Sequence, residues 1–339
     1  MEDILVFDIK SYKGEYHVEF VDYIPTLSHE GNIFVIDDNI WDQYYRDKHI
    51  ENNEVFLVHA TEDAKTLRES QRLIDFLIEN EFRKNNKIIA VGGGVVQDLV
   101  AFTTSILYRG VDWEFYPTTL LAQCDSCIGS KTSINHNKFK NLLGGFHPPR
   151  NIYINIEFLN TLPEDDIKSG VGEMLHYFLL NHEVDLSEEM VDDEDIIGNI
   201  NKYLTKSLSI KKEMIEKDEF DRGRRNLFNY GHTFGHAIET LSDYSVNHGQ
   251  AVTMGIKIAN TISINRKMIN NILRDKIDTI LIKNMPDYII EDVDQYIECL
   301  KRDKKNVSNK LTCILLTQEY ADKIEIYYDE VKGALDECF

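Results

Sequence analysis

The sequence predicts an α/β domain built on a parallel sheet over residues 1–155, followed by a mainly helical domain over residues 156–339. Three observations carry that expectation. The chain is 339 residues long, which suits two domains better than one. In its first part, short apolar runs bounded by turn residues alternate with a helix-period segment, the pattern of strands joined by crossover helices. After about residue 155 the strand signals thin out and apolar residues recur at helical spacing.

Taken in order, NIFVIDDN (32–39), EVFLVHA (54–60), KIIAVGGG (87–94) and DWEFYPTT (112–119) read as short buried strands. Between the second and third, Leu67, Leu73, Ile74, Leu77 and Ile78 mark one face of a helix. FHPPRN (146–151) holds the chain's only Pro-Pro and reads as the crossover between domains. Helical periodicity then runs through IKSGVGEMLHYFLL, IIGNINKYLTKSLSIKKEMIEKD, LFNYGHTFGHAIETL and GQAVTMGIKIANTISINRKM. The acidic run at 183–199 reads as a solvated loop or helix edge, and KLTCILLT (310–317) as a late strand.

Acidic residues number 58 and basic ones 37, for a net charge of -21. Such a surface repels phosphate backbones and anionic membranes, which argues against nucleic acid or a membrane as partner. The N-terminus shows no signal-peptide pattern, and no stretch approaches the roughly 18 apolar residues that span a bilayer. Five cysteines in so long a chain fit a reducing cytoplasm with free thiols. Cys124 and Cys127 have the C-x-x-C spacing, but a zinc ribbon needs a second such pair and none exists.

AVGGGVVQD (90–98) follows a buried strand and opens a helix, a place where glycines let the backbone approach a pyrophosphate. The third position of G-x-G-x-x-G is filled by Gln97. Asp112 lies near the spacing expected of an acidic ribose ligand, and Asp37 after the first strand is at least as good a candidate. In the helical half, Glu173 and His176 share a helix face, and His232, His236 and His248 add three more imidazoles. A carboxylate and two histidines from three helices would hold a catalytic cation with a position left open. HTFGH is not H-E-x-x-H, because Thr233 stands where the general base belongs, so a zincin protease is disfavoured. Basic residues collect at Lys131, Lys138 and Lys140, at Lys211, Lys212, Arg222, Arg224 and Arg225, and in KRDKK (301–305), a set that suits a small anionic substrate.

Beyond these features, GGGVVQD, YRG, PTTLLAQCDSCIGSKTSIN, KNLLGGFHPP, GVGEML, RNLFNYGHTFGHAIE, NHGQAV and RDKKN occur in an order and spacing that resemble the 3-dehydroquinate synthase family of sugar-phosphate cyclases. The resemblance covers nearly the whole chain. It implies an N-terminal α/β NAD-binding domain, a helical metal- and substrate-binding domain, an active site between them, and a homodimer. It assigns a divalent metal, zinc with cobalt as the alternative, to Glu173, His232 and His248. NAD contacts implied are Asp37, Glu62, Lys65, Gly93, Gly94, Asp98, Thr118, Thr119 and Lys140, with Thr161 and Leu162 on the adenine side. The substrate carboxylate is assigned to Lys131, Lys211, Arg225 and Asn229, and the phosphate to Asn141, His236 and Lys304 or Lys305. Arg109 would reach the phosphate from a neighbouring subunit, and Asp125 would lie by the reacting hydroxyls.

The activity this implies is cyclisation of a seven-carbon keto-acid phosphate to 3-dehydroquinate, with NAD regenerated in each turnover. Alternatives are a sister cyclase of the 2-deoxy-scyllo-inosose or valiolone type, or a metal-dependent polyol or glycerol dehydrogenase. The sequence departs from the family at His176, where lysine is usual and would contact a substrate hydroxyl, and at Asp221, Gln250 and Gln97.

Overall fold

The computed structural model describes residues 6–27, 31–46, 55–137, 139–301 and 310–339. By internal contacts the chain forms two compact units, Met1–Leu162 with Lys212–Phe220, and Pro163–Lys211 with Asp221–Phe339.

The first unit contains β1 (Val6–Ser11), β2 (Gly14–Phe20), β3 (Ile33–Asp37), α1 (Asp38–Tyr44), β4 (Val55–Val58), α2 (Leu67–Glu79), β5 (Ile88–Gly92), α3 (Gly94–Ile106), β6 (Trp113–Pro117), β7 (Lys131–His136), β8 (Phe139–Phe146) and β9 (Asn151–Ile154). Seven strands make one sheet in the order β1-β2-β9-β6-β5-β3-β4, while β7 and β8 form a separate hairpin. Every pairing from β2 across to β4 is parallel, and only β1 runs antiparallel. Strands β3 and β6 are buried almost throughout. Strands covered on both faces read as continuous apolar runs, which is why these were visible in sequence.

The helix expected between the second and third strands is α2, capped by Thr66, whose hydroxyl accepts from the Glu69 N–H at 3.2 Å. Its buried face is narrower than the sequence pattern suggested. Leu73 and Leu77 are buried, but Leu67 is 48% and Ile78 61% exposed. Ile78 follows Leu77 and is turned from it by about 100° around the helix. FHPPRN is not a crossover between units. It leads into β9, which pairs with β2 on one side and β6 on the other.

The second unit is mainly helical: α4 (Glu164–Leu180), α5 (Val184–Asp192), most of α6 (Ile200–Lys217), α7 (His232–Leu241), α8 (His248–Asn265), α9 (Asn271–Leu281), α10 (Val293–Lys301) and α11 (Tyr328–Cys338). The end of α6 belongs to the first unit, where Glu216 Oε1 accepts from the Lys10 N–H at 3.0 Å and Glu219 Oε2 from the Tyr12 N–H at 2.9 Å. The late strand is β10 (Lys310–Leu316), and it pairs antiparallel with β11 (Ala321–Tyr327), which the sequence pattern did not reveal. Among the described residues no helix is long and apolar enough to cross a membrane.

Helix α8 is buried along most of its length and packs against α4 and α7. Glycine permits the closeness of these contacts. A Cβ on Gly249 would lie 1.8 Å from the Ser169 carbonyl oxygen, and one on Gly172 would lie 2.1 Å from the Gly249 oxygen. Gly231, at φ 78°, turns the chain into α7 in a conformation that side chains rarely adopt. Gly249→Ala therefore forces α4 and α8 apart and should destabilise the fold by about 3 kcal/mol in urea titration, the upper end for overpacking. Gly333→Ala on α11, where a Cβ meets nothing within 4 Å, should be neutral or slightly stabilising in the same titration.

Candidate metal centre and nucleotide-binding face

The glycine contacts bring the first residues of α8 against the middle of α4, and the start of α7 against α8. Glu173 on α4 is 3% exposed, and its Oε2 is buried without a hydrogen-bond partner. His232 Nε2 and His248 Nε2 each lie 3.5 Å from that oxygen. Donors held at zinc-like distances around one tetrahedral cation stand about 3.3 Å from one another. The spacing is thus too long for good hydrogen bonds and right for a shared ion. Glu173, His232 and His248 form a set whose ligating atoms lie within 4.8 Å of one another.

The outer atoms of each donor are already committed. His232 Nδ1 is 3.2 Å from the Tyr230 carbonyl oxygen, and His248 Nδ1 is 3.3 Å from Glu239 Oε2. An imidazole nitrogen facing an acceptor carries the proton, so each ring in its neutral form presents the Nε2 lone pair inward. Glu173 Oε1 is 3.3 Å from His176 Nδ1. A second grouping, His236, Glu239 and His248, shares His248 through its other nitrogen. It includes an exposed histidine, and its Glu239 serves as the outer partner of His248. Sequence reasoning missed Glu239, although it falls one turn after His236 on the same helix.

Burial opposes ionisation of Glu173, but the imidazoles of His232 and His176 outweigh it and hold the carboxyl well below its usual range. Burial also works against a charged His248, yet the Glu173 and Glu239 carboxylates push it up to about 10. Below that pH a cation must displace the His248 proton, so affinity should fall about tenfold per pH unit lowered for one released proton. Calorimetric titration of zinc in buffers of different ionisation enthalpy checks this.

His236 is exposed on α7, its ring 5.5 Å from that of His232. Lys211, near the end of α6, and Arg225, in the 3-10 segment Arg224–Asn229, are both buried. That segment packs against α4 and α7, and Asn229 Nδ2 donates to the Asn226 carbonyl at 2.8 Å. Two departures from the family are absorbed locally. Gln250 Oε1 accepts from Asn247 Nδ2 at 2.7 Å while Asn247 Oδ1 caps α8 through the Gln250 N–H at 3.0 Å. Asp221 Oδ1 accepts from Asn226 Nδ2 at 3.1 Å.

In the first unit, Asp37, Gly92 and Pro117 close the neighbouring parallel strands β3, β5 and β6 at the same end. Asp37 caps α1 through the Asn39 N–H at 2.9 Å, and burial raises its carboxyl. Gly93 precedes α3 and leaves its N-terminus without a side-chain cap, an arrangement that accommodates phosphate. A Cβ there would come 2.9 Å from Thr119 Cγ2. Thr118 N donates to the Gly92 carbonyl at 3.0 Å, and Gly94 is exposed. Gln97, in the place of the third glycine, exchanges hydrogen bonds with Ser126: Nε2 to its carbonyl at 2.5 Å, and the hydroxyl to Oε1 at 2.6 Å.

Lys65 is buried, with Asp98 at 2.8 Å, Glu62 at 3.4 Å and Asn141 Oδ1 at 2.8 Å. Burial opposes its charge, but Asp98 and Glu62 more than restore it. Burial raises the Asp98 carboxyl despite Lys65. Ser133 and Asn135 complete this network by donating to Asp98 at 3.1 Å and Glu62 at 2.8 Å. Neither was singled out in the sequence. Asn141, assigned to the phosphate, thus contacts Lys65 of the nucleotide set.

Thr161 meets Tyr44 Oη at 3.2 Å, and Leu162 follows it. Lys131 and Lys140 are exposed on the β7–β8 hairpin. Arg109 is exposed at φ 63°. Asp125 sits in a π-helical turn with Cys124 and Cys127 beside it. Both thiols are buried and donate to carbonyls in the same turn, so the C-x-x-C pair is packing. Lys304 and Lys305 lie outside the described residues.

Comparison with known proteins matches both halves of the chain to one family. Residues 55–169 match the family model described as 3-dehydroquinate synthase N-terminal, and residues 170–306 the one described as 3-dehydroquinate synthase C-terminal. The 3-dehydroquinate synthase of Clostridium tetani is 35% identical over 335 residues, covering 94% of this chain and 88% of that protein. Among solved structures, a 2-deoxy-scyllo-inosose synthase complexed with carbaglucose-6-phosphate, NAD+ and Co2+ shares the fold. Its TM-score is 0.83 at 21% identity, over 99% of this chain and 100% of the other. A 2-epi-5-epi-valiolone synthase from Streptomyces hygroscopicus with NAD+ and Zn2+ bound matches with TM-score 0.78 at 22% identity, over 95% and 96%. With its helical and α/β parts matched in turn and its kinship extending over most of its length, this chain belongs to the 3-dehydroquinate synthase family.

Proposed function

We propose that this chain cyclises the seven-carbon keto-acid phosphate DAHP to 3-dehydroquinate with loss of phosphate, the carbon–oxygen lyase step of the shikimate pathway. The observation that carries the proposal is the convergence of His232 and His248 Nε2 on the buried Glu173 Oε2, each at 3.5 Å, in a chain of this family. A two-nitrogen, one-oxygen donor set suits zinc, with cobalt as an alternative. When bound, the divalent cation supplies Lewis acidity at adjoining hydroxyls, and NAD+ supplies a hydride acceptor that is restored within each turnover.

The chain's own residues then bind, orient and hold charge. Lys131, Lys211, Arg225 and Asn229 take the substrate carboxylate. Asn141, His236 and Lys304 or Lys305 take the phosphate, and Arg109 serves the phosphate held by a second copy in a homodimer. Asp125 adjoins the reacting hydroxyls. Asp37, Glu62, Lys65, Gly93, Gly94, Asp98, Thr118, Thr119, Lys140, Thr161 and Leu162 hold NAD+. What supports the nucleotide assignment is the grouping of Asp37, Gly93 and Thr118 at one end of adjacent strands.

A substrate panel tests the activity. With NAD+ and zinc present, phosphate should be released from the keto-acid phosphate and not from glucose 6-phosphate or sedoheptulose 7-phosphate. Turnover of a neutral sugar phosphate without turnover of the keto-acid would move the chain to a sister activity.

A further inference from the structure

His176 stands where the family's lysine would contact a substrate hydroxyl, yet its geometry serves something else. The residue is fully buried on α4, at 0% exposure. Its Nδ1 lies 3.3 Å from Glu173 Oε1, the oxygen that does not face His232 and His248, at ion-pair distance and without hydrogen-bond geometry. Its ring meets His232 edge-on, centroids 4.7 Å apart at 76°. Tyr177, Phe228 and Tyr230 flank it, with ring centroids at 4.8, 5.9 and 6.3 Å. A ring locked among aromatic side chains cannot swing outward without opening a cavity in a packed interior.

We infer that His176 is a positioning residue for the metal centre, fixing Glu173 Oε1 so that Oε2 alone is presented to the cation, and is not a substrate contact. A carboxylate is a flat, two-oxygen ligand that can rotate about its last bond. A buried imidazole packed at ion-pair distance from one oxygen leaves the other as the single donor at the centre, oriented by packing rather than by the ion. His232 and His248 are held in the same way, by the Tyr230 carbonyl and by Glu239. His176 completes that scheme for the third ligand. It also contacts the ring of the second, so it orders two of the three donors at once.

The inference rests on the assignment of Glu173, His232 and His248 to the metal, and the experiment separates the two. Zinc affinity is measured by competition with a chromophoric chelator for the wild type, His176→Phe and His176→Asn. The visible spectrum of each cobalt-loaded protein is recorded, and substrate KM is measured at saturating metal. Phenylalanine keeps the ring and removes the nitrogen. Asparagine places an amide N–H close to where Nδ1 stands. The expected result is a loss of zinc affinity of roughly 10- to 100-fold in His176→Phe, with a changed cobalt spectrum. His176→Asn should recover most of it, and substrate KM at saturating metal should stay within about twofold in both. Unchanged zinc affinity with a raised KM in either variant would overturn the inference and return His176 to the substrate. No zinc binding by the wild type would instead sink the metal assignment. Should His176→Phe fail to fold, the affinity and KM of His176→Asn decide between the two roles.

Discussion

Glu173→Gln should leave a folded protein that no longer retains its divalent cation and that turns over roughly a thousandfold more slowly, or worse. The glutamine amide keeps the volume of the side chain but removes the negative charge, and with it the one anionic donor of the set. Lewis-acid assistance contributes several kcal/mol, and each 1.4 kcal/mol is about a factor of ten, which sets that scale. Stability should fall, by about 3 kcal/mol, because the substitution removes a buried carboxylate held ionised by His232 and His176 and leaves the imidazoles without their counter-charge. Metal content by elemental analysis, phosphate release and thermal unfolding read the three consequences separately. A variant that keeps its metal and its rate would remove Glu173 from the centre.

Arg225→Leu should lower kcat/KM for the keto-acid phosphate by roughly a hundred- to a thousandfold. Arg225 is 8% exposed at the start of the 3-10 segment that packs against α4 and α7. A buried guanidinium can take a carboxylate with two parallel hydrogen bonds, and losing one partner of such a buried charged pair costs about 2–5 kcal/mol. Leucine fills much of the space without the charge. Arg225→Lys should rescue only part of the loss, because an ammonium cannot reproduce the planar fork. Steady-state kinetics on the two variants check this. The diagnostic feature is selectivity: any residual activity on a neutral sugar phosphate should be spared, and an equal loss on both substrate types would mean that Arg225 does not read the carboxylate.

Several features of this protein were legible in its residues, each for a physical reason. Strands β3, β5 and β6 were visible because parallel strands buried on both faces are apolar runs with turn residues at their ends, and β4, an edge strand with Leu57 42% exposed, was visible by its apolar run alone. The β1–β2 hairpin was not, because a half-exposed pair at the sheet edge carries Asp8, Lys10, Glu15 and Glu19 between its apolar positions. β9 is a four-residue strand recognisable only by its neighbours, which is why the Pro-Pro before it looked like a boundary. At the candidate metal centre, helical spacing showed a carboxylate and four imidazoles but could not choose among them. Spacing would pair His232 with His236 on one helix. The choice of His248 depends on how closely α8 approaches α4, a matter of glycine contacts between segments distant in sequence. Helical spacing marks His176 beside Glu173 and Glu239 beside His236, but not that each faces another side chain in place of substrate.

The most direct test of the central claim follows two products in one cuvette. The purified protein is given the keto-acid phosphate, NAD+ and zinc, while inorganic phosphate and absorbance at the NADH band are recorded together. A cyclase that returns its hydride in each turnover releases phosphate in step with substrate consumed and accumulates no NADH. NADH rising in proportion to substrate consumed, with no phosphate released, would mean a dehydrogenase built on the same fold and would contradict the proposed function.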